Sequence, residues 1–131
     1  MNNYKDLKFC QKAVGLAVKI YEVTHKFPND MLYGLPSQIG RCAVSIPSNI
    51  AEGLGRNTKN DFRNFLGTSY ASTCELETQL IIANRIHFID DNTLIHLQSE
   101  ISEIQKMIWS IKKSFNSRLK TINSRLSWMH T

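Results

Sequence analysis

Glycine and proline are scarce in this chain, six and three of 131 residues. Turns should therefore be few and the elements between them long. Long apolar runs are absent as well, since nothing approaches the roughly 20 residues that a membrane span needs. The opening Met1-Asn-Asn-Tyr-Lys-Asp lacks the apolar core of a secretory signal. Export by that route is not expected, and the compartment is read as cytoplasmic. The three cysteines include no Cys-x-x-Cys pair. In a reducing compartment an odd number argues against a disulfide framework, so Cys10, Cys42 and Cys74 are read as small buried apolar residues. The length suits one domain. Apolar residues at 42% and charged residues at 21% are ordinary globular proportions and exclude a disordered or fibrous chain.

Acidic residues are missing from one stretch altogether. Residues 104–131 carry Lys106, Lys112, Lys113, Arg118, Lys120 and Arg125 and no carboxylate, whereas residues 1–103 carry 10 basic and 11 acidic side chains. The net charge of +5 therefore arises entirely in the last 28 residues. An uncompensated basic segment attracts phosphate backbones or anionic lipid head groups. The competing explanation is a solvated helix face whose cations complement the helix C-terminus.

What the chain does have is four apolar stripes at helical spacing. The first runs Cys10, Ala13/Val14, Ala17, Ile20/Tyr21 and should end at Phe27-Pro28. The second is Leu35, Ile39, Cys42/Ala43, Ile46, Ile50, Leu54, closed at Gly53-Leu54-Gly55 by a glycine in the left-handed conformation. Thr58 with Asp61 resembles a capping box ahead of a third stripe, Phe62, Phe65/Leu66, Ser69, Thr73, Leu76, Leu80, Ala83. Asp90-Asp91-Asn92-Thr93 offers N-caps for the fourth. There Leu94, Leu97, Ile101, Ile104, Ile108, Ile111 and Phe115 alternate steps of three and four, the pattern of a bundle seam. The stripe then slips and resumes as Leu119, Ile122, Leu126 and Met129. Unbroken to Met129, that helix would span about 57 Å, against about 30 Å for either of the first two. The expected fold is all-α, an antiparallel up-down four-helix bundle with a long fourth helix. Residues 1–115 form the bundle domain, and 116–131 a partly ordered basic extension of helix 4.

Few residues invite catalysis. Di-metal sites in helical bundles need two Glu-x-x-His motifs; this chain has one, Glu22-Val23-Thr24-His25, so no metal or other cofactor is expected. Arg125 and His130 reproduce the Arg-x4-His form of the all-helical HEPN ribonucleases, in which the pair would act on the RNA 2′-hydroxyl and the cleaved phosphate. With six Arg and four His in the chain, that spacing carries little weight by itself. No P-loop, Gly-x-Gly-x-x-Gly or Ser/His/Asp set is present. Trp109, Phe115, Leu119, Trp128 and Met129, mixed with Lys and Arg, could lie on a membrane surface. The regular seam from Leu94 to Phe115 is better used in packing, and no membrane partner is expected.

The densest polar feature lies on helix 2. At about 100° per residue, Gln38, Arg41, Ser45, Ser48, Asn49, Glu52 and Arg56 share an arc of roughly 100°. Pro47 points away from it, deprives the Ala43 carbonyl of its partner and should kink the helix. The arc is either a solvated face, with Glu52 paired to Arg56, or a hydrogen-bonding surface for a subunit or a nucleic acid.

The run from Gly34 to Arg56, with Ser45-Ile46-Pro47-Ser48-Asn49-Ile50-Ala51-Glu52-Gly53 at its core, resembles the signature of the bacterial four-helix-bundle proteins encoded in 23S rRNA intervening sequences. Phe62, Phe65-Leu66 and Cys74-Glu75-Leu76-Glu77-Thr78-Gln79-Leu80 fit the same family, and the resemblance covers roughly residues 4–115. Two positions depart from it. Gly40 stands where the family often has a second basic residue beside Arg41, and Ser72-Thr73 where it often has Gly-Ser. The resemblance implies an up-down bundle in a homopentameric ring without catalytic activity. Relatives of this fold class, the accessory proteins of diversity-generating retroelements, form basic barrels that bind nucleic acid and a reverse transcriptase.

These strands converge on a non-enzymatic, homo-oligomeric bundle that binds RNA, another nucleic acid or a nucleoprotein through a basic surface, with no small-molecule substrate. The residues expected to contact nucleic acid are Arg41, Arg56, Lys106, Lys112, Lys113, Arg118, Lys120 and Arg125. The family's signature surface is Gln38, Ser45, Ser48, Asn49, Glu52 and Gly53. The alternatives are a purely structural assembly protein and a ribonuclease using Arg125 and His130.

Overall fold

Four helices account for almost the whole chain: α1 Tyr4–Thr24, α2 Leu35–Leu54, α3 Lys59–Arg85 and α4 Asp91–Leu126. The structure, a computed structural model, describes the backbone of residues 4–28 and 34–126 and the side chains of 8–28 and 34–114. In space each helix lies against its neighbours in sequence, and α4 closes the ring against α1. Short connections reverse the chain at each step, so the helices run up, down, up and down. The expected all-α bundle with a long fourth helix is the fold observed.

Local chemistry sets where the helices start and stop. The Thr58 hydroxyl accepts the Asp61 N–H at 3.2 Å and begins α3. Asp90 Oδ1 accepts the Thr93 N–H at 2.7 Å and begins α4; contacts with Thr93 hold that carboxyl below the usual range. Gly55, expected to be left-handed, is right-handed, with φ −83°. Its N–H reaches both the Ala51 and the Glu52 carbonyls, so α2 tapers off in its own helical sense toward Thr58. The left-handed residue falls instead after α3, at His87, with φ 68°. Phe88 N–H bonds the Ala83 carbonyl at 2.8 Å and His87 N–H the Asn84 carbonyl at 3.0 Å, the pairing of a Schellman cap. Phe88 then meets Phe27 with ring centroids 5.2 Å apart, tying the two turns at that end together.

The four stripes meet in one core. Phe9, Ala13, Leu16 and Ile20 from α1 bury against Ile39, Ala43, Ile46 and Ile50 of α2, Leu66, Leu76, Leu80 and Ala83 of α3, and Leu97, Ile101, Ile104 and Ile108 of α4. The seam between α1 and α4 is finished by ion pairs, Lys12 with Glu103 and Lys19 with Glu100. These pairs also give the register: followed outward, they set the start of α1 level with about residues 111–115. From there α4 continues for about 11–15 residues to Leu126.

The closest approach is between α2 and α3. A Cβ built on Gly53 would lie 2.9 Å from Phe65 Cβ and 3.4 Å from the Phe62 carbonyl oxygen. Neither atom belongs to the flexible end of a side chain, so only glycine fits at that crossing. Gly53→Ala should therefore destabilise the fold by about 1–3 kcal/mol through overpacking, read from the urea midpoint. His87→Gly should act in the opposite direction and stabilise by about 0.5–1 kcal/mol, because a Cβ in the left-handed region is strained. An unchanged or lower melting temperature for His87→Gly would remove that account of the α3 cap.

Candidate nucleic-acid interface

The polar arc of α2 divides in two once α3 is in place. Its inner edge is consumed in packing. Ser45 Oγ lies 2.6 Å from the Cys42 carbonyl oxygen and 2.7 Å from Ser72 Oγ. With one proton per hydroxyl, Ser45 donates to the carbonyl and accepts from Ser72. Cys42 Sγ donates in turn to the Ser72 carbonyl at 3.1 Å, which closes a circuit between the helices. One turn on, the buried Ser69 hydroxyl donates to the Ile46 carbonyl at 3.0 Å. Asn49 turns back on its own helix, and its Nδ2 donates to the Ser45 carbonyl at 2.7 Å. These side chains cluster on carbonyls around Pro47, and α2 continues through the proline to Leu54. Gly53 is buried. The outer edge, Gln38, Arg41, Ser48, Glu52 and Arg56, stays exposed.

The two departures from the family pattern acquire structural roles. Ser72 faces α2 in the circuit just described. Thr73 faces α4, where Gln105 Nε2 donates to its hydroxyl at 3.0 Å while that hydroxyl donates to the Tyr70 carbonyl at 2.6 Å. Gly40 is buried beneath the Tyr21 ring, with a built Cβ 3.3 Å from it. Position 40 thus looks toward α1, whereas Arg41 looks outward.

Among the expected cation sites, Arg41, Lys106 and Lys113 are exposed and Lys112 is half-buried. Arg56 is exposed but engaged: its guanidinium bonds Glu52 at 3.2 Å and lies 5.0 Å from the centre of the Phe65 ring. An exposed pair of that kind is worth about 0–1 kcal/mol, enough to orient the group without burying it. The side chains of Arg118, Lys120 and Arg125 lie outside the described residues, as does His130, so the Arg125–His130 pair has no geometry to examine.

Sequence reasoning overlooked three cations that the fold adds. Up-down topology brings the start of α1, the end of α2 and the start of α3 to the end of the bundle where α4 emerges. Lys8, Lys59 and Arg63 are exposed there and join Arg56, Lys112 and Lys113. Glu52 and Asp61 are the described carboxylates at that end. The opposite end carries Glu22, Asp90 and Asp91 against Lys26 and Arg85. The bundle is thus polarised along its axis. The signal was present in the sequence, in basic residues beside the predicted turns, but it shows only when residues are grouped by end rather than by position in the chain.

A different surface runs along α1 and α2. Val14, Val18 and Tyr21 recur at helical spacing on α1 and are about half exposed (49%, 52% and 52%); Val44 of α2 is 41% exposed. Tyr21 meets Gly40, which places this apolar strip along the α1/α2 groove, away from α3 and α4.

Cysteine placement differs from expectation at one position. Cys10 and Cys42 are buried, but Cys74 is exposed. It sits at the outer edge of the α3/α4 contact, within 3.8 Å of Gln105 Nε2, because the third stripe turns Thr73 rather than Cys74 inward. Burial above all, and then the negative charge of Glu75, push the Cys42 thiol up to about 12. Among the described residues no group of His, Cys, Asp and Glu could hold a metal ion. No helix among them is long and apolar enough to cross a membrane.

Fold and surface together define a small all-α bundle protein in which, among the described residues, no charged side chain is buried in the core. It belongs to the family of 23S rRNA-intervening sequence proteins, whose family model matches residues 5–110. A similar solved structure is a protein of unknown function from the S23 ribosomal protein family of Bacteroides thetaiotaomicron. It is 27% identical, with a TM-score of 0.78, over 83% of this chain and 98% of that one. No curated protein matches the chain. Neither match names an enzymatic activity.

The thiols give a direct check on this arrangement. A thiol reagent added to the native protein should modify Cys74 at once and Cys42 only after unfolding. Because the folded Cys42 pKa is raised, its contribution to stability is complete below pH 9 and is lost as pH rises from about 9 toward about 12. Urea midpoints across that range should fall more steeply for the wild type than for Cys42→Ala. Parallel slopes would mean that Cys42 does not titrate differently on folding.

Proposed function

We propose that this protein is a non-enzymatic assembly module that associates with copies of itself along the α1/α2 strip and binds RNA, alone or within a nucleoprotein, through the cationic end of the bundle. The observation that carries the reading is the gathering of Lys8, Arg56, Lys59, Arg63, Lys112 and Lys113 at one end. Charge segregated in this way raises the local concentration of a polyanion and steers its approach. The α4 helix extends that end past the other three helices, and its sequence beyond Ile111 adds Arg118, Lys120 and Arg125 without an acid. The family's name refers to 23S rRNA and its solved relative to a ribosomal protein family, which favours RNA among polyanions. The apolar strip supports self-association, since exposed valines and a tyrosine in one groove form a patch that copies of the chain could cover. The ring of five implied by the family resemblance is the expected assembly.

Light scattering and RNA binding across a salt series test both halves. The protein should elute as an oligomer, and Val18→Asp should shift it toward monomer. Affinity for rRNA fragments should fall steeply with salt, with a log–log slope of about −0.7 to −0.9 for each phosphate neutralised. The combined variant Lys59→Glu, Arg63→Glu, Lys113→Glu should abolish binding. A monomeric wild type would overturn the assembly half. Absence of binding at low ionic strength would overturn the RNA half and leave a purely structural protein.

A further inference from the structure

The outer face of the α3/α4 pair combines cations with exposed aromatic rings. On α3, Arg63, Gly67, Tyr70 and Cys74 share one arc of the helix at about 100° per residue. On α4 the facing residues are Gln105, Trp109 and Lys112. Two contacts fix their levels: Gln105 reaches Thr73 and Cys74 at one side of Tyr70, and a Cβ on Gly67 would lie 3.4 Å from Lys112 Nζ at the other. Tyr70 and Trp109, each midway between those contacts, therefore stand level across the groove. Both are open to solvent, Tyr70 at 39% and Trp109 at 67%, the latter the most exposed large apolar side chain among the described residues.

Packing does not account for a tryptophan in this position. The core seam of α4 runs through Leu97, Ile101, Ile104 and Ile108, and Trp109 lies off it. Charge is the second unusual property of this face. No Asp or Glu occurs in α3 from Phe62 to Cys74 or in α4 from Ile104 onward. The carboxylates of α4 that lie nearest, Glu100 and Glu103, point the other way and pair with Lys19 and Lys12 of α1. Gly67, without a side chain, leaves open the space on α3 beside which the Lys112 ammonium lies.

We propose that Tyr70 and Trp109 form a stacking platform for the bases of single-stranded RNA, with Arg63 and Lys112 holding the adjoining phosphates. This rests on the RNA-binding reading above and specifies its ligand: unpaired rather than duplex RNA. Bases in a duplex already stack on one another, and only unpaired bases can offer a face to two exposed rings. Cations alone, by contrast, attract any nucleic acid through its phosphates.

The test compares a mixed-sequence single-stranded RNA of about 15 nucleotides with the duplex of the same sequence. Trp128→Phe is used as background so that Trp109 is the sole tryptophan. Binding of the single strand should quench Trp109 fluorescence, and the duplex should bind more weakly. Trp109→Ala and Tyr70→Ala should each lower single-strand affinity by roughly 5- to 100-fold while leaving the salt slope unchanged, and Trp109→Phe should retain most of it. Lys112→Gln should instead reduce the slope by about 0.7. If the wild type binds and both alanine variants bind equally well, the platform is refuted while RNA binding stands. If no RNA binds to the wild type, the parent reading falls as well. A change in oligomeric mass in Trp109→Ala would assign the face to contact between copies and overturn the platform.

Discussion

The close approach of α2 to α3 is the constraint from which the rest of the molecule follows. At Gly53 the two backbones leave no room for a Cβ opposite Phe65. Further along the same seam, the Ser69 hydroxyl donates to the Ile46 carbonyl, Ser72 meets the Ser45 hydroxyl, and the Cys42 thiol donates to the Ser72 carbonyl. Small side chains allow that proximity, and their hydroxyls keep it from stranding polar groups. The hydrogen bonds also populate the region where Pro47 removes a helical donor. With α2 and α3 locked, the apolar stripes of α1 and α4 have one place each to bury, and the ring closes through Lys12–Glu103 and Lys19–Glu100.

That seam reassigns the family signature. The Ser-Ile-Pro-Ser-Asn-Ile-Ala-Glu-Gly run looks, as a string, like a polar surface awaiting a ligand. In the fold, Ser45 and Gly53 hold α3, and Asn49 bonds a carbonyl of its own helix. Its outward remainder is a mixed edge in which Glu52 offsets Arg56. The densest motif of the chain thus reads mainly as the device that builds the bundle. The exposed cations gather elsewhere, at the end where α4 emerges, and two exposed rings stand on the α3/α4 face.

Two faces follow from the same packing. The α1/α2 groove presents Val14, Val18, Tyr21 and Val44. The α3/α4 side presents cations and two rings. A module that associates along one face and binds a polyanion along another needs this division, because self-repulsion of the basic residues would oppose a shared surface.

Helix number, helix length and most of the inward stripes were legible because 3.6-residue periodicity is a local property that survives without knowing the partner. The caps at Thr58 and Asp90 were legible for the same reason. Gly55 was not, since a right-handed taper and a left-handed cap begin with the same residue and differ in where the chain must go next. Cys74 could have been, since the third stripe already put Thr73 inward and Cys74 off it; expecting all three thiols to be buried followed residue type rather than that stripe. Val14 and Tyr21, expected on the first stripe, are about half exposed, because α1 turns Phe9, Ala13, Leu16 and Ile20 into the core instead. The total charge and its excess in the tail could be counted directly. Their meaning could not: Lys8, Arg56, Lys59 and Arg63 are scattered along the chain and join Lys112 and Lys113 only through up-down packing. Electrostatic potential sums over distance in space, and sequence separation says nothing of that distance until the helices are placed.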